Sequence, residues 1–174
     1  MLSRAQLVDR LKSIKLLALD VDGVLTDNSL YLGPDGLELK RFNIADGFYM
    51  KLAMRAGLPI VIISGRYSAA TDTRMKELGI KYVFQGKADK PSQIEPLLKE
   101  LGIDYRDVAY VGDELLDITI GEKVGLPIAV HDAASGYKQI VSYVTEHNGG
   151  QGAVRELLEC YFEAIEKNPR EFVY

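Results

Sequence analysis

Six short apolar runs that do not alternate constrain this chain most. "IKLLALD" (Ile14–Asp20), "PIVIIS" (Pro59–Ser64), "KYVFQ" (Lys81–Gln85), "DVAYVG" (Asp107–Gly112) and "LPIAV" (Leu126–Val130) place apolar side chains on successive residues, and "YVT" (Tyr143–Thr145) adds a short one. Successive side chains of a strand point to opposite faces. A strand that is apolar throughout therefore needs both faces covered, as in a parallel sheet flanked by helices. Helical patterns lie between the runs, at Gly47–Ala56, Ser68–Leu78, Pro91–Leu101 and Glu114–Val124. They stop at "RAGLP", "ELGIK", "ELGID" and "KVGLP", with glycine where a helix ends. Strand and helix in turn predict an α/β fold with a doubly wound, Rossmann-like parallel sheet.

One segment breaks this rhythm. "NSLYLGPDGLELKRFN", Asn28–Asn43, reads as two short strands about a Pro-Asp-Gly turn, a hairpin inserted between the first strand and the first helix. A last helix, Ala153–Lys167, follows "NGGQG" and leads into the tail "NPREFVY". The 174 residues show no repeat and no linker, so one domain over 1–174 is expected.

A net charge of -4 without a basic block argues against a nucleic-acid partner. No apolar run approaches the ~18 residues that span a membrane. "MLSRAQLVDRLKS" lacks the apolar core of a signal peptide. The single cysteine, Cys160, lies in the apolar pattern of the last helix and suits a reducing compartment. A cytoplasmic location is expected.

In an open α/β sheet the ligand site lies beyond the carboxyl ends of the strands. The first run ends at Asp20 and Asp22, the second at Ser64-Gly65-Arg66, and the fourth at Gly112-Asp113-Glu114 with Asp117 one turn on. Lys90 opens the helix after the third. Each feature alone is ordinary: a turn, a surface lysine, or an aspartate capping a helix. Their joint order is not. Acids gathered at one sheet edge repel unless a cation joins them, and Mg²⁺ suits carboxylate oxygens. Ser64 and Lys90 would then meet a bound phosphate. One acid of the D-x-D pair would attack phosphorus while the other handles protons.

At these residues the chain resembles the haloacid dehalogenase superfamily of phosphotransferases: "DVDGVLTD", "IISGR", Lys90 in "GKADK", and "GDELLD" match its four motifs in order. Within it, the chain resembles the capless sugar-acid phosphatases typified by 3-deoxy-D-manno-octulosonate 8-phosphate (KDO-8-phosphate) phosphatase, through "FNIADG", "LGIKYVFQGKADK", "VGLPIAVHDA" and "YVTEHNGGQGAVRE". The resemblance implies a nucleophile at Asp20 that forms an aspartyl-phosphate, and a general acid and base at Asp22. It implies Mg²⁺ on the carboxylates of Asp20 and Asp113 and the backbone carbonyl of Asp22. Ser64, Gly65 and Lys90 would hold the phosphoryl group, and Glu114 or Asp117 would orient metal-bound waters. Two roles are open to Arg66: pairing with the substrate carboxylate, or a structural ion pair.

The chain departs from the family pattern at Glu114, where a second aspartate is usual, and at Tyr49, where glycine is common. Tyr49 is expected to narrow the site or rest on a neighbouring subunit. The resemblance also implies a homotetramer in which the hairpin of one subunit and the C-terminal segment of another close a site without a cap domain. Rival readings are a phosphatase for a nine-carbon sugar-acid phosphate, a non-catalytic tetramerising module, and a phosphomutase, which normally carries a cap.

Overall fold

The non-alternating runs pair as their pattern requires. In the computed structural model, which describes residues 1–174, the chain runs α1 (Arg4–Leu11), β1 (Leu16–Leu19), β2 (Tyr31–Leu32), β3 (Glu38–Leu39), α2 (Ile44–Arg55), β4 (Ile60–Ser64) and α3 (Ala69–Leu78). It continues through β5 (Tyr82–Gln85), α4 (Lys90–Leu101), β6 (Val108–Gly112), α5 (Ile118–Gly121), β7 (Leu126–Ala129), α6 (Ser135–Lys138), β8 (Tyr143–Val144) and α7 (Ala153–Ala164). Six strands form one parallel sheet in the order β5-β4-β1-β6-β7-β8. Every residue of β1, β4, β6 and β7 is buried, the double coverage that their composition demanded. One core cluster of 46 buried apolar residues holds sheet and helices together. α7 packs against α1 and α2, and α4 against α5.

The chain extends the sheet from β1 through β4 to β5, then returns to β1's other side for β6 to β8. The order therefore reverses between β1 and β6, which opens a crevice at their carboxyl ends. Asp20 follows the first of these strands and Asp113 the second.

Several boundaries differ from the sequence expectation, each for a local reason. α2 begins at Ile44 rather than Gly47, because the Asn43 side chain accepts from the amides of Ala45 (2.8 Å) and Asp46 (3.2 Å). Glu114–Val124 is not one helix. A 3₁₀ turn over Leu115–Asp117 is followed by the single turn of α5, because the Asp117 carboxylate folds back onto the amides of Asp113 and Glu114. α1 lies outside the four helical patterns of the sequence. Its sign is the capping box of Ser3 and Gln6.

α7 ends at Ala164 rather than Lys167. The tail then turns back through a 3₁₀ turn at Pro169–Phe172 onto its own chain. The Arg55 guanidinium donates to the carbonyls of Phe172 (2.8 Å) and Val173 (2.7 Å), and the Phe172 ring lies 5.7 Å from that of Phe162. Within the chain, the C-terminal segment is thus held by α2 and α7.

The hairpin forms where expected but is minimal. Tyr31 pairs with Leu39 and Leu32 with Glu38, around a turn in which Asp35 (φ 55) and Gly36 (φ 77) are left-handed. A bridge between Thr26 and Phe42 closes its base.

Candidate active site

Asp20 is fixed at the end of β1, where its amide donates to the Val111 carbonyl of β6 at 3.0 Å. The chain then turns tightly, with the Val21 carbonyl accepting from the amides of Val24, Leu25 and Thr26. Gly23 makes the turn possible. Its φ is +83°, and a Cβ there would lie 2.0 Å from Asp113 Oδ2. The glycine after D-x-D thus lets the β6 acid approach the β1 loop. The loop is held from behind by "NGG": the Gly150 amide donates to the Val24 carbonyl at 2.8 Å, and a Cβ on Gly149 would strike the Gly23 carbonyl.

Lys90, at the first turn of α4, is buried. Its ammonium lies 3.0 Å from Asp20 Oδ2, 2.5 Å from Asp117 Oδ1 and 2.9 Å from the Tyr110 hydroxyl. Tyr110 in turn donates to Asp117 Oδ1 at 2.7 Å. Asp117 Oδ2 accepts from the amides of Asp113 (2.8 Å) and Glu114 (3.0 Å). Both oxygens of this fully buried carboxylate are therefore engaged by the protein. Asp117 ties Lys90 to the loop carrying Asp113. Glu114 is exposed, and its side chain accepts from the Leu115 amide at 2.7 Å, capping its own turn. Tyr110 escaped sequence reasoning. The available signal was a phenol inside an apolar strand, whose buried hydroxyl needs a partner.

The electrostatics call for a cation. Burial pushes Asp113 up to about 8, helped by the charges of Asp20 and Asp117. Burial also raises Asp20, to about 6, against the opposing pull of Lys90. Burial pulls Lys90 down, but Asp20 and Asp117 outweigh it and hold the ammonium above the usual lysine range. Asp113 Oδ1 is buried without a hydrogen-bond partner. Carboxylate oxygens of Asp20, Asp113 and Asp117 lie within 4.8 Å of one another. With Asp117 already saturated, Asp20 and Asp113 fit a hard divalent cation that would take up the orphaned oxygen. The Asp22 side chain turns instead to Lys40, which donates to its Oδ1 at 2.6 Å. Only the backbone of Asp22 remains for the metal role that the resemblance implied.

Asp20, Asp22, Lys90 and Asp113 line a cleft of about 290 Å³ with Ser64, Gly65 and Arg66, and Leu116 is its one apolar wall. The Ser64 hydroxyl donates to the Arg66 carbonyl at 2.9 Å and accepts from the Arg66 amide at 3.3 Å, which shapes the turn after β4. Arg66 reaches the cleft while its guanidinium pairs with Glu38 of the hairpin. The structural ion pair left open by the sequence is therefore made. Tyr49 does not narrow the cleft. Its ring lies against α7, 5.4 Å from the Arg155 guanidinium. Lys40 and Glu38 are the other residues that sequence reasoning missed. Their signal was the "LELK" alternation, which puts two charges on one face of a strand.

The haloacid dehalogenase-like hydrolase family matches over residues 82–157. The 3-deoxy-D-manno-octulosonate 8-phosphate phosphatase KdsC of Escherichia coli strain K12 is 42% identical over 155 residues, covering 89% of this chain and 82% of that protein. The structure of the 3-deoxy-D-manno-octulosonate 8-phosphate phosphatase from Yersinia pestis superposes with a TM-score of 0.89 at 38% identity, covering 92% of this chain and 87% of that one. The Moraxella catarrhalis phosphatase of the same name, in complex with magnesium ion, phosphate ion and KDO, gives a TM-score of 0.87 at 38% identity and 91% coverage of each chain. With this identity spread over nearly the whole chain, the protein belongs to the 3-deoxy-D-manno-octulosonate 8-phosphate phosphatase family of haloacid dehalogenase-like hydrolases.

Proposed function

We propose that this chain hydrolyses 3-deoxy-D-manno-octulosonate 8-phosphate to KDO and phosphate. The observation that carries the reading is the convergence of Asp20, Asp113, Ser64 and Lys90 on one cleft, in a chain whose relatives bear that name. Asp20 attacks phosphorus, while Asp22 gives a proton to the bridging oxygen as its bond to phosphorus breaks. The sugar acid leaves as an alcohol and the phosphoryl group remains on Asp20. Asp22, now a carboxylate, takes a proton from water as that water attacks phosphorus. The bond to Asp20 breaks and phosphate leaves. Lys90 and Ser64 hold the phosphoryl oxygens, with Gly65 leaving room beside them. Mg²⁺ on Asp20, Asp113 and the Asp22 carbonyl would neutralise charge on the transferring group. Arg66 keeps donors to spare beside Glu38 for the substrate carboxylate.

The chain acts as one domain without a cap, and the assembly that supplies the missing cover is a homotetramer built through the hairpin. Tyr31, Leu32 and Leu39 on strands of two residues, and Leu37 at the turn between them, are all exposed, an arrangement that other copies would cover. The buried free thiol of Cys160 suits the cytoplasm, and no helix is long and apolar enough to cross a membrane. The deciding experiment is a kinetic screen of phosphorylated sugar acids and hexose phosphates with Mg²⁺. Highest kcat/KM for the eight-carbon sugar acid is expected. Preference for a nine-carbon sugar acid replaces the substrate, and inertness toward every phosphate ester overturns the reading.

A further inference from the structure

The hairpin is built inside out. In "LELK" the apolar pair, Leu37 and Leu39, is exposed, while Glu38 and Lys40 point into the protein. The Lys40 side chain is 1% exposed. Its ammonium makes the only hydrogen bond to the Asp22 side chain, at 2.6 Å to Oδ1, and lies 3.9 Å from Glu38 Oε1. Glu38 accepts from the Ser68 hydroxyl at 2.6 Å and pairs with Arg66. Ser68 caps α3. Charges alternate along Asp22, Lys40, Glu38 and Arg66, and both ends of this chain line the cleft. Burying an ammonium is costly unless it is paired. A solvated lysine on a surface hairpin would avoid that cost, so its enclosure between Asp22 and Glu38 needs a reason.

We propose that Lys40 is a positioning residue for Asp22, delivered to the site by the hairpin. The inference deepens the phosphatase reading and rests on it. Asp22 stands on a turn and its carboxyl group can rotate. Lys40 occupies Oδ1 and fixes the plane of the group, so that Oδ2 is the oxygen offered to the bridging atom of the ester. The Lys40 stem is enclosed, so little side-chain freedom is left to blur that placement. Glu38 holds the ammonium from behind and is itself anchored to α3 through Ser68. The hairpin thus reaches the proton-transfer group through two linked ion pairs.

Proton donation matters most when the leaving group is a poor one. A sugar alkoxide needs the proton and p-nitrophenolate does not. The test measures kcat/KM of the Mg²⁺-loaded protein for KDO-8-phosphate and for p-nitrophenyl phosphate, in wild type, Lys40→Met and Lys40→Arg. The ratio of sugar to aryl substrate is expected to fall by about tenfold or more in Lys40→Met, since positioned acid catalysis contributes on the order of 10²–10⁴. Lys40→Arg, which keeps charge and hydrogen bond, is expected to recover most of the ratio. Equal loss on both substrates, or no loss, overturns the proposal. If circular dichroism shows that Lys40→Met does not fold, Lys40→Gln is read by the same ratio. A wild type inert toward both phosphates overturns the phosphatase reading and this proposal together. An active wild type whose ratio survives in the variants overturns this proposal alone.

Discussion

The ammonium of Lys90 lies 2.5 Å from Asp117 Oδ1 in a space closed to solvent, while the other oxygen of Asp117 takes the amides of Asp113 and Glu114. One carboxylate thus sets both the buried Lys90 ammonium and the loop that carries Asp113. Asp117→Asn removes a buried charge and leaves Asp20 as the one charged partner of Lys90. A stability loss of about 3 kcal/mol is expected, as for breaking a buried pair, with a larger fall in activity than in folded fraction. Urea denaturation alongside kinetics checks both. Unchanged stability would show that the brace is dispensable.

Asp20→Asn keeps the shape of the side chain but removes the carboxylate proposed as nucleophile. Turnover below about 1% of wild type is expected, given the weight of covalent catalysis, with the circular dichroism spectrum preserved. Substantial turnover by a pure, folded variant would move the nucleophile elsewhere.

The acid cluster makes metal-free stability depend on pH. Asp113 is raised to about 8 and Asp20 to about 6, chiefly by burial. A carboxyl raised in the folded chain binds its proton more tightly there than when unfolded. Its contribution is therefore full below the ordinary carboxylate range and is lost as pH rises through the raised value. The melting temperature of the chelated protein should fall between pH 5 and 8.5, and Mg²⁺ should restore most at the upper end, where its ligands are deprotonated. A flat chelated profile, or full activity in chelator, would remove the cation from this cluster.

Gly23→Ala tests the approach of Asp113 to the β1 loop. The new methyl would sit 2.0 Å from Asp113 Oδ2 on a backbone at φ +83°. Displacement of Asp113 should weaken Mg²⁺ activation strongly, with about 1–2 kcal/mol lost to the left-handed backbone. Titration of activity with Mg²⁺ measures the first effect and thermal melting the second.

Leu37 and Leu39 report on assembly. Leu37→Glu with Leu39→Glu places charges on the exposed face of the hairpin. Light scattering is expected to show smaller species, with sugar-acid phosphate turnover reduced more than that of p-nitrophenyl phosphate. A fully active wild-type monomer at working concentration would dispose of the tetramer.

The sheet was legible in the sequence because the pattern that defines it is local. Leu16–Leu19 and Val108–Gly112 are apolar at every position, and only a doubly covered strand tolerates that. The acids were legible as well, because each stands at the carboxyl end of such a run, and a parallel sheet brings all those ends to one edge. Which acid meets which cation was not. Lys40 finds Asp22 across 18 residues, and Lys90 finds Asp117 across 27. Those pairings follow from the crossing order of the strands and the depth to which each side chain is enclosed. No window of sequence carries that information. The same holds for the tail, which Arg55 and Phe162 capture on its own chain, and for the inward turn of Glu38 and Lys40. Alternation marks that these two share a face, but only packing against α3 and the loops after β1 and β4 decides that the charged face, not the leucine face, is the buried one.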